Sequence, residues 1–348
     1  MKMKWVFLAV LFFCTAGSIY AQDAAAVREQ VWRAYLSDAE AAALRNMVKT
    51  AVQQDNADAP SGPPSPEILA AMRSGFEQFT AEFAPPPASV PYEMFEKDAV
   101  KGVWFYPPEA DQTRVLLYFH GGGFVAGSPM TAAAIAGTLA ERAKIRCFSL
   151  DYPLAPETPY PAAHDNAVEA YAMLLDSGYA AESIVLAGDS AGGNIALGTL
   201  LRIRDRGLPM PAGAYLLSPW TDLGNSLPTQ ELKRTIDPLL AKAELTMMTN
   251  AYASNRDHDD PLLSPVFADL RGLPPLLIHV GSHEILLDDS LTIARNAALA
   301  DVPVTLKVWP GYSHVFQMGE SVLEGGRKAL AEGAEFCKEV LTNTHLRE

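Results

Sequence analysis

The sequence predicts an α/β fold built on a largely parallel sheet. Three observations lead there. Short apolar runs of strand length, such as Val115-Leu116-Leu117-Tyr118-Phe119, are hydrophobic without alternation, as strands covered by helices on both faces are. Segments with apolar residues at helical spacing separate the later runs. The chain has 348 residues, 49% hydrophobic and 20% charged, enough for a large core and too apolar for a disordered protein.

The elements follow in order. Residues 1–21 read as a secretory signal peptide: Lys2 and Lys4 make a basic start, Trp5 to Phe13 is unbroken apolar sequence, and smaller residues lead to a cleavage point after Ala21. The apolar stretch is shorter than the ~20 residues of a membrane-spanning helix. Bulky Phe13 before Cys14 argues against a lipoprotein. The expectation is a secreted or periplasmic protein with no stable membrane insertion once the leader is removed. Cys147 and Cys337 then remain; they could pair in an oxidising compartment, although two cysteines are more often simply buried.

Residues 24–52 read as helix, with Val27, Val31 and Tyr35 at helical spacing. A Pro-, Ser- and Gly-rich break covers 59–66, and a second amphipathic helix covers 67–83, with Ile68, Met72, Phe76 and Phe79 on one side. From residue 90 the strand candidates are 90–96, 99–106, 114–120, 145–152, 183–188, 214–218, 276–281 and 304–309. Only Lys97-Asp98 separates the first two, which suggests an antiparallel hairpin at the sheet edge. Helix-like segments lie at 130–143, 161–176, 191–206, 288–300 and 323–341. A long insertion at 221–273, with a Met- and Leu-rich helical stretch at 239–253, interrupts the alternation. Placed where strands run out into loops, it suits a lid, or else an extra packing layer. Domain boundaries follow: a leader at 1–21, cap helices at 22–88, and a catalytic domain at 89–348 that carries the insertion. The net charge of −14 excludes a nucleic-acid surface, which needs clustered Lys and Arg.

Gly188-Asp189-Ser190-Ala191-Gly192 is a G-x-S-x-G directly after a strand and directly before a helix. A serine at so tight a turn sits in strained backbone with its hydroxyl at the carboxyl edge of the sheet, and the helix amino terminus behind it favours negative charge. His120-Gly121-Gly122-Gly123-Phe124 follows another strand, and successive glycines leave backbone N–H groups open to a substrate oxygen. A phosphate-cradling loop is the poorer reading, because no P-loop or dinucleotide pattern is present. A nucleophilic serine needs a base. His279 lies inside a strand, His164, His258 and His345 lack a strand-end setting, and His283 directly precedes a carboxylate. His314, in Pro310-Gly311-Tyr312-Ser313-His314, follows the last strand and so reaches the same edge as Ser190. Glu284, Asp288 and Asp289 are the candidate acids; Asp288 and Asp289 also suit a helix first turn. The order serine, acid, histidine is that of α/β-hydrolase triads. No metal or other cofactor is expected, since Asp257-His258-Asp259-Asp260 has neither zincin nor EF-hand spacing.

His120-Gly121-Gly122-Gly123, Asp151-Tyr152-Pro153-Leu154-Ala155-Pro156-Glu157, Gly188-Asp189-Ser190-Ala191-Gly192-Gly193 and Ser218-Pro219-Trp220-Thr221-Asp222-Leu223 together resemble the hormone-sensitive-lipase-like family of α/β-hydrolases. The resemblance runs from about Val90 to the C-terminus and implies an eight-stranded sheet with a helical cap. It implies oxyanion donors at Gly122, Gly123 and Ala191. It further implies a serine carboxylesterase acting on small ester substrates of short to medium chain length, and family members often dimerise through the last strand, so a homodimer is one option. One departure stands out: where the family usually reads D-P-L-x-D, this chain reads Glu284-Ile285-Leu286-Leu287-Asp288. That pattern is similar to a subset using Glu as the acid, which includes esterases similar to monoterpene ε-lactone hydrolases. The expected triad is therefore Ser190, Glu284 and His314. A lactone hydrolase would use the same residues. A non-catalytic ligand-binding protein on this scaffold would resemble plant hormone receptors that lack the histidine, and His314 argues against it.

Overall fold

The computed structural model describes residues 26, 28–50 and 62–342; the leader at 1–21 and His345 lie outside them. Eight strands form one sheet: β1 (Tyr92–Lys97), β2 (Val100–Phe105), β3 (Asp111–Phe119), β4 (Ile145–Leu150), β5 (Ile184–Asp189), β6 (Gly213–Leu217), β7 (Leu276–Gly281) and β8 (Val304–Trp309). Their spatial order is β1-β2-β4-β3-β5-β6-β7-β8. β1 pairs antiparallel with β2, and β2 with β4, while every pair from β4 to β8 is parallel. The expected hairpin edge and parallel centre are both present, and all eight strands fall on the strand candidates read from the sequence.

Burial explains the apolar runs. β5, β6 and β7 are buried at every position, whereas the edge strand β1 is exposed almost throughout. Alternate residues serve the two faces. Leu117, Leu186, Leu216 and Ile278 pack under α5 (Ala162–Asp176), α6 (Ala191–Asp205) and α9 (Leu287–Leu299). Leu116, Val185, Tyr215 and Leu277 pack under α4 (Ala133–Ala143) and α10 (Glu324–Thr342). Cys147 and Cys337 are buried on this second side with both thiols free, so the pairing open to them is not formed.

The N-terminal region departs from the expected single helix. Residues 28–35 form α1, the chain breaks at Leu36 and Ser37, and α2 (Asp38–Thr50) follows. Ser37 and Glu40 supply the reason: Ser37 Oγ accepts from the Glu40 N–H while the Glu40 side chain reaches back to the Ser37 N–H, each at 3.3 Å. This capping box starts a new helix. The buried face consists of Trp32, Leu36, Leu44 and Met47, with Tyr35 exposed, so the face centred on Val31 and Tyr35 is corrected by one position. In α3 (Pro66–Phe83), Met72, Phe76 and Phe79 pack against the core as expected, while Ile68 is exposed and Leu69 is buried beside them. Pro66 at the first turn and the Ser65 cap set where α3 begins.

The parallel register places the carboxyl ends of β3, β5, β6, β7 and β8 side by side, with Phe119 opposite Gly188, Leu217 opposite His279 and Gly281 opposite Trp309. Strand order reverses between β3 and β5, and in open α/β sheets that reversal opens a crevice for ligands. The insertion between β6 and β7 carries α7 (Thr229–Leu232) and α8 (Lys242–Ala253) over this edge. Among the described residues, no helix is long and apolar enough to cross a membrane.

Candidate active site

Ser190 closes β5 and opens α6 with φ 56° and ψ −121°, a conformation that costs a non-glycine residue about 1–3 kcal/mol. The surroundings enforce it. The Ser190 N–H donates to Leu217 O at 2.9 Å, and Ser190 O accepts from the N–H groups of Gly193 and Trp220 at 3.0 Å. A side chain at Gly192 would overlap the carbonyl oxygen of Phe119, so the G-x-S-x-G glycine allows α6 to rise against β3. Ser190 is itself partly exposed amid fully buried neighbours.

His120 directly follows β3, and the chain beyond it turns through Gly122 (φ 114°), Gly123 (φ 63°) and Phe124 (φ 65°). The Val125 and Ala126 N–H groups donate to Gly122 O at 3.2 and 3.0 Å, which folds that carbonyl back into the loop. Among the described residues, no protein group accepts from the N–H of Gly122, Gly123 or Ala191. Asp189 ties this loop to the serine turn: its carboxyl accepts from Tyr118 Oη at 2.7 Å and from the Gly121 N–H. Burial pushes its pKa up to about 6, although these donors and the nearby His314 pull it down. The His120 imidazole is pushed down to about 4 by burial and bonds Gly121 O at 2.7 Å, so it is a neutral fixture of the loop.

Glu284 and His314 meet. Glu284 Oε2 lies 2.8 Å from His314 Nδ1. Glu284 Oε1 accepts from the Gly281 N–H at 2.6 Å and from Ser218 Oγ at 2.9 Å. Ser218 Oγ in turn accepts from the Val315 N–H at 3.2 Å, so one hydroxyl at the end of β6 joins the glutamate to the residue after the histidine. In the neutral ring, a proton on Nδ1 facing the carboxyl group makes Nε2 the acceptor. Burial pulls the His314 pKa down, but the Glu284 hydrogen bond and the charges of Glu284, Asp237 and Asp189 outweigh it and hold the pKa above the usual histidine value.

The other acid candidates serve structure. Asp288 Oδ2 accepts from the Thr229 N–H at 2.9 Å, and Asp289 Oδ1 from the Thr221 and Asp222 N–H groups at 2.7 and 2.9 Å. Both lie in the first turn of α9, as the sequence suggests, and both anchor the insertion. Asp237, inside the insertion, is a buried carboxyl that accepts from the N–H groups of Leu239 and Ile285 at 2.8 Å, and from that of Leu240 at 3.0 Å. It holds the residue next to Glu284. The other described histidines sit apart from this pair: His279 Nδ1 bonds Tyr215 Oη at 3.0 Å inside the core, His164 is held between Tyr252 Oη at 2.8 Å and Asn194 Oδ1 at 3.0 Å, and His258 Nε2 lies 3.2 Å from Ala253 O. His283 is pushed down to about 4, chiefly by burial. Over the oxyanion loop, a Cβ at Gly123 would overlap Met248 Sδ, so α8 lays a thioether directly on that glycine. Among the described residues, no group of three or more His, Cys, Asp or Glu side chains is arranged to hold a metal.

Sequence reasoning named Ser190, Glu284, His314 and the glycine loop; the structure pairs Glu284 with His314 and sets Ser190 at the same sheet edge. Sequence reasoning gave no role to Ser218, although Ser218 stands at a strand end inside a quoted motif, nor to Asp189, Tyr118 or Asp237.

A family model of the alpha/beta hydrolase fold matches residues 116–318. An acetyl-hydrolase of Streptomyces hygroscopicus is 40% identical over 235 residues, 68% of this chain and 78% of the relative. A solved bacterial esterase of the hormone-sensitive lipase family superposes with a TM-score of 0.79 at 34% identity, over 86% of this chain and 98% of its own. The esterase EstE5 superposes with a TM-score of 0.81 at 34% identity, over 88% of this chain and 100% of its own. With this fold and these relatives, the chain belongs to the α/β-hydrolase family, among its hormone-sensitive-lipase-like bacterial esterases, and is a carboxylic ester hydrolase.

Proposed function

We propose that Ser190 is the nucleophile, His314 the general base and Glu284 the acid that orients it, in an acyl-enzyme mechanism on esters of short acyl chains. The observation that carries this reading is the 2.8 Å contact between Glu284 Oε2 and His314 Nδ1, at the same sheet edge as the strained Ser190. His314 Nε2 takes the hydroxyl proton as Ser190 Oγ bonds to the ester carbonyl carbon. The amides of Gly122, Gly123 and Ala191 receive the developing oxyanion. The intermediate collapses with cleavage of the carbon–oxygen bond to the alcohol, which leaves with the proton from His314. Water repeats both steps on the acyl-enzyme and releases the acid. The raised pKa of His314 suits a group that must hold a proton between the two transfers.

Short acyl chains are supported by Met248, which covers the oxyanion loop at Gly123, and by likeness to a relative named as an acetyl-hydrolase. Export is part of the same proposal and rests on the basic, apolar and small-residue order of residues 1–21. A fluorophosphonate serine probe tests the mechanism: one equivalent should bind, on the peptide containing Ser190, with loss of turnover in proportion. Stoichiometric labelling elsewhere, or turnover unaffected by full labelling, refutes it.

A further inference from the structure

The N-terminal helices do more than the cap reading requires. Trp32, Leu36 and Leu44 form a separate apolar cluster with Trp309, Tyr312 and Phe316, the residues that flank His314 on both sides. Gly311 packs directly on Tyr35 and Leu36. Into this cluster α2 sends the carboxyl group of Glu40, 7% exposed. Oε2 stays with its own helix, accepting from Ser37 Oγ at 2.8 Å, as an ordinary capping box would. Oε1 does something a cap does not need: it accepts from Tyr312 Oη at 2.5 Å and from the Glu324 N–H at 2.9 Å, at the start of α10. Burial opposes the charge on Glu40, but the donors Tyr312, Ser37 and Gly325 outweigh it and keep its pKa below the usual value. The other charged groups nearby are Glu324 and Lys328, which pair with each other at 2.6 Å.

Tyr312 passes this restraint to the acid–base pair. Its carbonyl oxygen accepts from the His283 N–H at 3.0 Å and lies against Gly281, whose own N–H holds Glu284. One residue thus touches the segment before Glu284 and precedes His314 by two positions. We infer that Glu40 is a positioning residue for the Glu284–His314 pair, acting through Tyr312, and that α2 belongs to the framework of the base. This rests on the reading of His314 as the base.

The test compares Glu40→Ala, which removes the acceptor of Tyr312 Oη, with Tyr312→Phe and their double variant in the full chain, with p-nitrophenyl acetate. Each single variant should lower kcat by about 10–100-fold, the range in which displacement by a remote change costs rate. KM should change little, and the double variant should be no worse than the poorer single one. A loosened Glu284 hydrogen bond lowers the His314 pKa, so the acid limb of kcat/KM should move to lower pH. Ser37→Ala, which removes the Oε2 donor but leaves Tyr312 Oη and the Glu324 N–H on Oε1, should reduce Tm without moving that limb, and this separates positioning from mere stability. Wild-type kcat and an unmoved acid limb in folded Glu40→Ala and Tyr312→Phe overturn the proposal. His314→Asn decides the underlying reading separately: if it retains turnover, the base is misassigned, and if it is inactive while the Glu40 and Tyr312 variants behave as wild type, only the positioning role fails.

Discussion

Glu284→Gln is the sharpest test of the acid, because the amide is nearly the same shape and its position is fully buried. The side-chain oxygen of glutamine can keep the two donors now on Oε1, the Gly281 N–H at 2.6 Å and Ser218 Oγ at 2.9 Å. The amide nitrogen then occupies the place of Oε2, 2.8 Å from His314 Nδ1, and offers a donor where the imidazole also offers one. The ring can resolve this only by moving its proton to Nε2, the atom that must be empty to accept the serine proton. Locking a triad histidine in that tautomer costs about 10⁴ in kcat. At 1.36 kcal/mol per tenfold this is about 5.5 kcal/mol of transition-state stabilisation. We expect a fall of about 10³–10⁴ in kcat, with a folded protein by circular dichroism. The pH profile supplies a second, independent reading. Glu284 gives the largest upward influences on the His314 pKa, and without them burial, which lowers it, has the upper hand. The acid limb of kcat/KM should therefore move to lower pH even as kcat drops. Asp288→Asn is the control: it weakens a 2.9 Å anchor to Thr229, so Tm should fall while kcat stays within a few-fold. If Asp288→Asn loses the thousandfold and Glu284→Gln does not, the acid is Asp288 and the tautomer argument collapses.

The other expectations are simpler. Ser190→Ala should leave a folded protein with turnover down by about 10⁶, and residual activity near a hundredth of wild type would exclude covalent catalysis by this serine. Because His314 must be neutral to act and its pKa is raised, wild-type kcat/KM should fall as pH drops through a value above the ordinary histidine pKa; a titration midpoint below the ordinary histidine value would contradict the ion-pair geometry. Met248→Ala should uncover the loop at Gly123 and improve kcat/KM for octanoate relative to acetate esters by about tenfold, the scale at which pocket methylenes discriminate; an unchanged chain-length profile removes Met248 from the pocket. Ser218→Ala leaves the Val315 N–H without its acceptor and Glu284 one donor short, so kcat should drop by about tenfold while KM holds, and a purely thermal effect would show Ser218 to be packing alone.

The fold was legible because its signals are local. A strand buried on both faces announces itself as an apolar run: 115–119 in β3, 184–187 in β5 and 214–217 in β6 are unbroken, while Arg146 and Ser149 interrupt β4 and His279 interrupts β7. The serine turn and the glycine loop were legible for the same reason, since tight turns demand small residues at fixed spacing. Helix faces at the N-terminus were less so: α1 and α2 carry apolar residues at several phases, and only contact with Trp309 and Phe316 selects Trp32 and Leu36 over Val31 and Tyr35.

The residues that escaped have one property in common. Ser218, Asp189, Asp237 and Glu40 are buried polar side chains whose partners come from elsewhere in the chain, from Tyr118 for Asp189 to Glu324 for Glu40. Sequence spacing carries no mark of such pairings, yet the site needs them. Glu284 and His314 stand on loops after β7 and β8, and a loop of irregular backbone has few internal bonds to fix it to the tolerance that proton transfer demands. The restraint must come from outside, and it comes from carboxyl groups able to accept several N–H or O–H donors at once: Asp237 from the insertion on Ile285, and Glu40 from the N-terminal helices on Tyr312. Each segment flanking the catalytic sheet thus supplies one buried acid beneath one arm of the pair. On this view, the covering segments and the chemistry cannot be exchanged separately between relatives: a graft that replaces either segment without its carboxyl group should fold over the pocket and still lose the alignment of the histidine.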